Sequence, residues 1–221
     1  MSTVDHYEEI IFEISWILTN ITSIDNSQLM EYILKPEYKL IDFLKRILSH
    51  KNKKIKEHSI WCLSNLLEGT ENNYKIVFDT NIIEEIRAIS GMDKIPLGLS
   101  RVVAWCCSNI CKWKVRTKEF ILTMVDIIAT IIFIADEEVL SDWWYAFKHL
   151  TDIEEPDREL EKIKLESIGA VEVLEKIVSI IERGKMSFSA ALRFIGNISA
   201  ADSKIWDEQV LKAGFFQKGK I

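Results

Sequence analysis

Residues 51–69 read KNKKIKEHSIWCLSNLLEG: a charged lead-in, a tryptophan and, four residues later, an asparagine. Ile55, Ile60, Leu63 and Leu67 fall at helical spacing through it, so the stretch predicts an amphipathic helix that Gly69 brings to a stop. Trp61 and Asn65 are one turn apart and share a face of that helix. The same pair stands in SWILTN as Trp16 and Asn20, and in AWCCSN as Trp105 and Asn109, at intervals of 45 and 44 residues. A hydrophobic core has no need of carboxamides at that place, because a buried amide without partners costs free energy. The repeated pair therefore points to a lined surface.

Such a period, ~40–47 residues, is that of stacked helical solenoids such as armadillo and HEAT arrays. Upstream of the opening stretch, Leu40, Ile41, Phe43, Leu44, Ile47 and Leu48 give residues 38–50 a wide apolar face on a second helix, with Pro36 in its first turn. A short helix over 28–34 precedes Pro36, so one unit is a short, a long and a signature helix. The pattern recurs: residues 81–89 form the next middle helix, and Pro96 opens a signature helix running to about Trp113. Then come a middle helix over 120–135, a third helix over 137–150, and later helices over 170–182 and 187–200. The expected organisation is one domain, 1–221, with units 1–25 (partial), 26–69, 70–113, 114–152, 153–200 and 201–221 (partial).

Composition excludes several classes. Only 8 Gly and 3 Pro argue against a strand-and-turn protein, and 48% apolar residues against disorder. The 34 acidic and 28 basic side chains leave a net charge of −6, which disfavours nucleic acid and suits a basic ligand. Cys62, Cys106, Cys107 and Cys111 read as reduced, buried thiols. Cys107 and Cys111 have no nearby histidine or second cysteine pair, so no metal is expected. The opening MSTVDHYEE is polar and acidic, unlike a signal peptide, and the apolar stretch 120–135 is too short and too charged for a membrane span. No phosphate loop, HExxH or activated nucleophile is present, so no enzyme and no cofactor is expected.

FEISWILTNITS, KEHSIWCLSNLLEG, VVAWCCSNICK, SDWWYAFKHLTD and SAALRFIGNISAAD together resemble the third helices of consecutive armadillo repeats in importin alpha, the adaptor family that recognises nuclear localisation signals. Three WxxxN pairs in register, then two degenerate versions in the family's order, carry the resemblance over nearly the whole chain. It implies an all-α, right-handed superhelical armadillo solenoid with three helices per repeat, whose third helices line a concave groove. There the family's tryptophans form parallel slots around the methylene stems of lysine and arginine, a packing that leaves the charged head toward solvent. An asparagine carboxamide, both donor and acceptor, bonds the backbone of an extended peptide.

Carried over by position, the resemblance makes Trp16, Asn20, Trp61, Asn65, Trp105 and Asn109 the main peptide site. Asp142 matches an acidic groove residue, Tyr145 the aromatic position, and His149 stands where the family usually has tyrosine. Arg193 and Asn197 match an arginine–asparagine pair, and Lys112 a basic flank. The family's aspartate four residues after the asparagine of its third repeat is here Gly69, with Glu68 one place earlier. Ile24 and Leu29 replace small polar residues of the same pocket. Altered selectivity is the expected result. Trp113 and Trp143 read as packing residues and Trp206 as part of the last unit, while the lysine run 51–56 reads as a solvated loop and helix start.

The expected function is an importin-alpha-like adaptor that holds lysine- or arginine-rich localisation signals in extended form for nuclear import, moving between cytoplasm and nucleus. Importin beta is not expected to bind this chain alone, since a basic leading segment is not seen. No nucleic acid or membrane is expected, and exposed solenoid ends favour a homo-oligomer. The rival reading is a scaffold for a different protein, with a degenerate groove.

Overall fold

The computed structural model describes residues 3–113, 117–131, 136–151 and 196; apart from residue 196, the units expected at 153–200 and 201–221, and with them Arg193, Asn197 and Trp206, lie outside the described residues. The chain forms two compact units, residues 1–110 and 111–221. Every regular element among the described residues is helical.

In the first unit the chain runs through α1 (Thr3–Thr22), α2 (Ser27–Ile33), α3 (Leu40–Leu48), α4 (Lys53–Leu67), α5 (Glu71–Phe78), α6 (Ile82–Ser90) and α7 (Leu97–Cys111), which ends at the unit boundary. The short–long–signature order holds twice, as α2–α3–α4 and α5–α6–α7. On α3 the buried set is Leu40, Leu44, Ile47 and Leu48, one helical stripe. It meets α4, where Ile55, Ile60, Leu63 and Leu66 are fully buried. Two polar side chains of this core are matched: Ser59 Oγ donates to the Leu44 carbonyl (3.0 Å) and Tyr74 OH to the Asn109 carbonyl (2.8 Å).

Local chemistry sets the helix starts. Asn26 and Asn52 cap α2 and α4, accepting from Leu29 N (3.0 Å) and Lys54 N (2.9 Å). Asn52 Nδ2 also donates to Glu8 Oε1 (2.6 Å), tying the start of α4 to α1. Pro36 does not open α3 as its position predicts. It begins a separate 3-10 turn, Pro36–Tyr38, which ends at Lys39 in the left-handed region (φ 51°). Asn81 takes the same conformation (φ 58°) just before α6. Both middle helices thus start from a left-handed residue, which asparagine tolerates and lysine adopts only at a cost.

In the second unit α8 (Lys118–Ile131) and α9 (Glu137–Thr151) are described. Thr117 and Asp136 cap them, accepting from Phe120 N (3.2 Å) and Val139 N (3.1 Å). Trp143 and Trp144 of α9 are fully buried beside Phe147, so Trp143 is a packing residue as its position outside the motif implies. The four cysteines are buried and form no disulfide, and burial pushes the Cys62 thiol up to about 11. Among the described residues no cluster of three or more His, Cys, Asp or Glu could hold a metal, and no helix is long and apolar enough to cross a membrane.

Candidate functional site

The signature helices α1, α4 and α7 stand side by side in the first unit, and hydrogen bonds of the motif itself join them. Asn65 Nδ2 donates to the Thr19 carbonyl (3.2 Å) and to Thr22 Oγ1 (3.0 Å) of α1. Asn109 Nδ2 makes the corresponding pair to the Ser64 carbonyl (3.3 Å) and Ser64 Oγ (3.1 Å) of α4. Each asparagine therefore reaches back to the residue that precedes the previous asparagine. Asn20 is exposed and donates to Trp16 O in its own helix (3.1 Å).

Exposure of the carboxamides falls along the row. Asn20 is exposed, Asn65 half-buried, and Asn109 only 1% exposed. The expectation of three carboxamides alike in facing a peptide backbone is corrected here: in Asn65 and Asn109 the amide hydrogens join neighbouring helices. The acceptors are the carbonyls of Thr19 and Ser64, each the residue just before a motif asparagine, and the hydroxyls of Thr22 and Ser64.

The tryptophans line the same three helices. Trp16 is 45% exposed, and Trp61 and Trp105 are half-buried. The Trp61 and Trp105 rings meet edge to face, centroids 6.4 Å apart and planes at 82°. Two parallel rings gripping a methylene stem would stand about 7–8 Å apart, twice a carbon–carbon contact. The parallel slot implied by the resemblance is thus not formed between these two, and the indoles touch instead. Trp16 meets His58 edge-on at 5.3 Å, and His58 meets Phe12 at 5.1 Å. His58 Nδ1 is buried with no hydrogen-bond partner, and burial lowers its pKa, so the ring is neutral. Nothing in the motif spacing marks His58.

Beside Asn65 lies a cleft of about 500 Å³ with Glu68, Gly69, Ile24 and Met30 among its lining, and with two further carboxylates, Asp25 and Glu31. These acids are supplied by the loop after α1 and by α2, and the WxxxN pattern does not reveal them. At Gly69 an added Cβ would run into Nδ2 of buried Asn73, with Asn73 Cγ and the Leu66 carbonyl both at 3.2 Å. The place of the family's aspartate is occupied here by a side chain from α5.

In the second unit, α9 carries Asp142, Tyr145 and His149. Burial, with Glu138 adding repulsion against the counter-effect of Lys112, raises the Asp142 carboxyl to about 6. The Tyr145 ring is 43% exposed, with Lys148 Nζ 5.9 Å from its centroid. Arg193 and Asn197 lie outside the described residues. The lysine run is wound into α4: Lys54 Nζ pairs with Glu57 (3.1 Å), and Lys56 Nζ donates to the Leu48 carbonyl (2.8 Å).

Known proteins share this architecture. A designed armadillo repeat protein in complex with the peptide (KR)4 superposes with a TM-score of 0.71 at 15% identity, covering 92% of this chain and 81% of that one. An engineered protein of known crystal structure gives a TM-score of 0.73 at 19% identity, covering 94% and 81%. Importin subunit alpha-1b of Oryza sativa subsp. japonica is 23% identical over 206 residues, 90% of this chain and 35% of its own length. Importin subunit alpha-2 of Arabidopsis thaliana is 25% identical over 152 residues, 68% and 28%. The chain has the armadillo-repeat fold and is similar to importin alpha subunits. It spans about a third of the length of these curated relatives. No family model matches it.

Proposed function

We propose that this importin-alpha-like chain binds lysine- and arginine-rich peptides, nuclear localisation signals by class, in extended form across α1, α4 and α7. The observation that carries this reading is the row Trp16, Trp61 and Trp105, one indole per signature helix, on helices held in register by Asn65 and Asn109. An extended peptide rises about 3.3 Å per residue with side chains alternating, so indoles on successive helices meet alternate side chains. Each indole contributes about 0.5–2 kcal/mol toward a cation laid on it. Glu68, with Asp25 and Glu31 across the cleft, supplies the carboxylates for one lysine head, taking the part that Gly69 does not play. Asn20 offers its carbonyl oxygen to the peptide backbone. In the second unit, Asp142 and Tyr145 of α9 are further candidates for contact with a basic peptide, as are Arg193 and Asn197 by the resemblance alone.

The relatives support placing such binding in nuclear protein import, with the chain in both cytoplasm and nucleus and without a catalytic step or cofactor. A second reading, a scaffold for another protein with a degenerate groove, is favoured by the Trp61–Trp105 contact and by the burial of Asn109. Calorimetric titration with a lysine-rich localisation peptide separates the two. Micromolar or tighter binding that salt weakens, and that Trp61→Ala with Trp105→Ala weakens at least about tenfold, supports the adaptor. Absence of heat with any basic peptide, or indifference to both substitutions, would sink it.

A further inference from the structure

α1 has a face that its own unit does not cover. Tyr7, Ile10, Ile14 and Ile17 are 64%, 47%, 40% and 53% exposed, and Ile21 is half-buried. Their spacing, 3-4-3-4, is the heptad seam by which one helix packs along another. Isolated exposed apolar residues are ordinary, but a continuous seam over most of a 20-residue helix is not. On one side the seam passes through Leu18 into an apolar groove of about 550 Å³ between α1 and α3, walled by Tyr32, Ile33 and Phe43. The far rim of that groove carries Lys39, Asp42 and Arg46, a net positive edge. The other margin of the seam carries Glu13, which is exposed.

We propose that this face joins two copies of the chain, the two α1 helices lying parallel, with Glu13 of one copy facing Arg46 of the other. The choice of occupant follows from charge. A helix that fits here needs an apolar heptad seam and an acidic margin toward the basic rim, and α1 itself has both. In a parallel pair the residue at Glu13 comes opposite position 18 of the other helix, beside which Arg46 stands in the groove lining. The surface is therefore self-complementary, as a two-fold interface requires. Trp16 and Asn20 lie on another side of α1, so both copies keep their peptide row open.

Sedimentation equilibrium on the full chain tests this, with an expected mass near twice 25.7 kDa. Ile10→Glu with Ile17→Glu should give monomers of unchanged helical circular dichroism, since both side chains are already solvent-accessible. Glu13→Arg should weaken the dimer, and Glu13→Arg with Arg46→Glu should restore it. A chain that stays monomeric at high micromolar concentration overturns the proposal, as does a dimer untouched by the isoleucine pair or a charge swap that restores nothing. Side-chain footprinting that finds the seam protected in a monomer also overturns it, because another part of the chain then covers the face.

Discussion

At Asn109 the carboxamide is sealed between two helices, whereas at Asn20 it lies in solvent and bonds only its own helix. Removing the side chain should therefore cost different amounts at chemically identical motif positions. Asn109→Ala strips two bonds from a buried joint and should lower stability by about 2 kcal/mol, Asn65→Ala by about 1 kcal/mol, and Asn20→Ala by less than about 0.5 kcal/mol. Urea unfolding of the three variants checks the order. Gly69 makes a second case. Gly69→Asp looks from sequence like the repair of a lysine pocket, but its Cβ would overlap Asn73. The substitution should lose about 1–3 kcal/mol by overpacking, and Gly69→Asp with Asn73→Ser should recover most of it by the same unfolding measurement. Spacing alone reveals that Trp61 and Asn65 share a face. It does not reveal that Thr19 accepts from Asn65 or that Trp61 touches Trp105, since both depend on how close two helices come.

Helices were legible where a periodic apolar face met a capping residue. Residues 51–69 predict the helix found as α4, and 137–150 the helix found as α9, because each has a polar start signal and a continuous stripe. The start of α3 was not legible, since Pro36 fits the first turn of a helix and of a 3-10 turn equally well. Only the left-handed backbone at Lys39 separates the two, and lysine carries no signal for it. The cap of α4 has a measurable share in the fold. Asn52 holds both Lys54 N and Glu8, so Asn52→Ala should cost about 1–2 kcal/mol in thermal or urea unfolding. Asn52→Asp should retain the cap bond and lose the donor to Glu8.

Across the molecule the net charge is −6, and Asp142 shows how that surplus meets burial. Its carboxyl is raised from 3.8 to about 6 in the fold, so the folded chain holds the proton more tightly than the unfolded one. The stability this contributes is complete below pH 3.8 and is lost as pH rises through about 6, where the half-buried carboxylate ionises. Asp142→Asn should accordingly stabilise the protein at pH 7 and leave it nearly unchanged at pH 4, as chemical unfolding at the two pH values would read. A cation brought to Asp142 by a ligand would have the same sense, favouring the ionised form near neutrality.

The joints Asn65–Thr19 and Asn109–Ser64 also give the chain a grammar of splicing. Helix α4 carries both halves of the connection, Asn65, which reaches backward to α1, and Ser64 beside it, which receives Asn109 of α7. A second copy of the unit that contains α4 thus brings an asparagine that can reach the Ser64 of the first copy. Duplicating residues 26–69 should yield a longer protein with one more indole in its row, its new joint patterned on the bond that Asn109 already makes to Ser64.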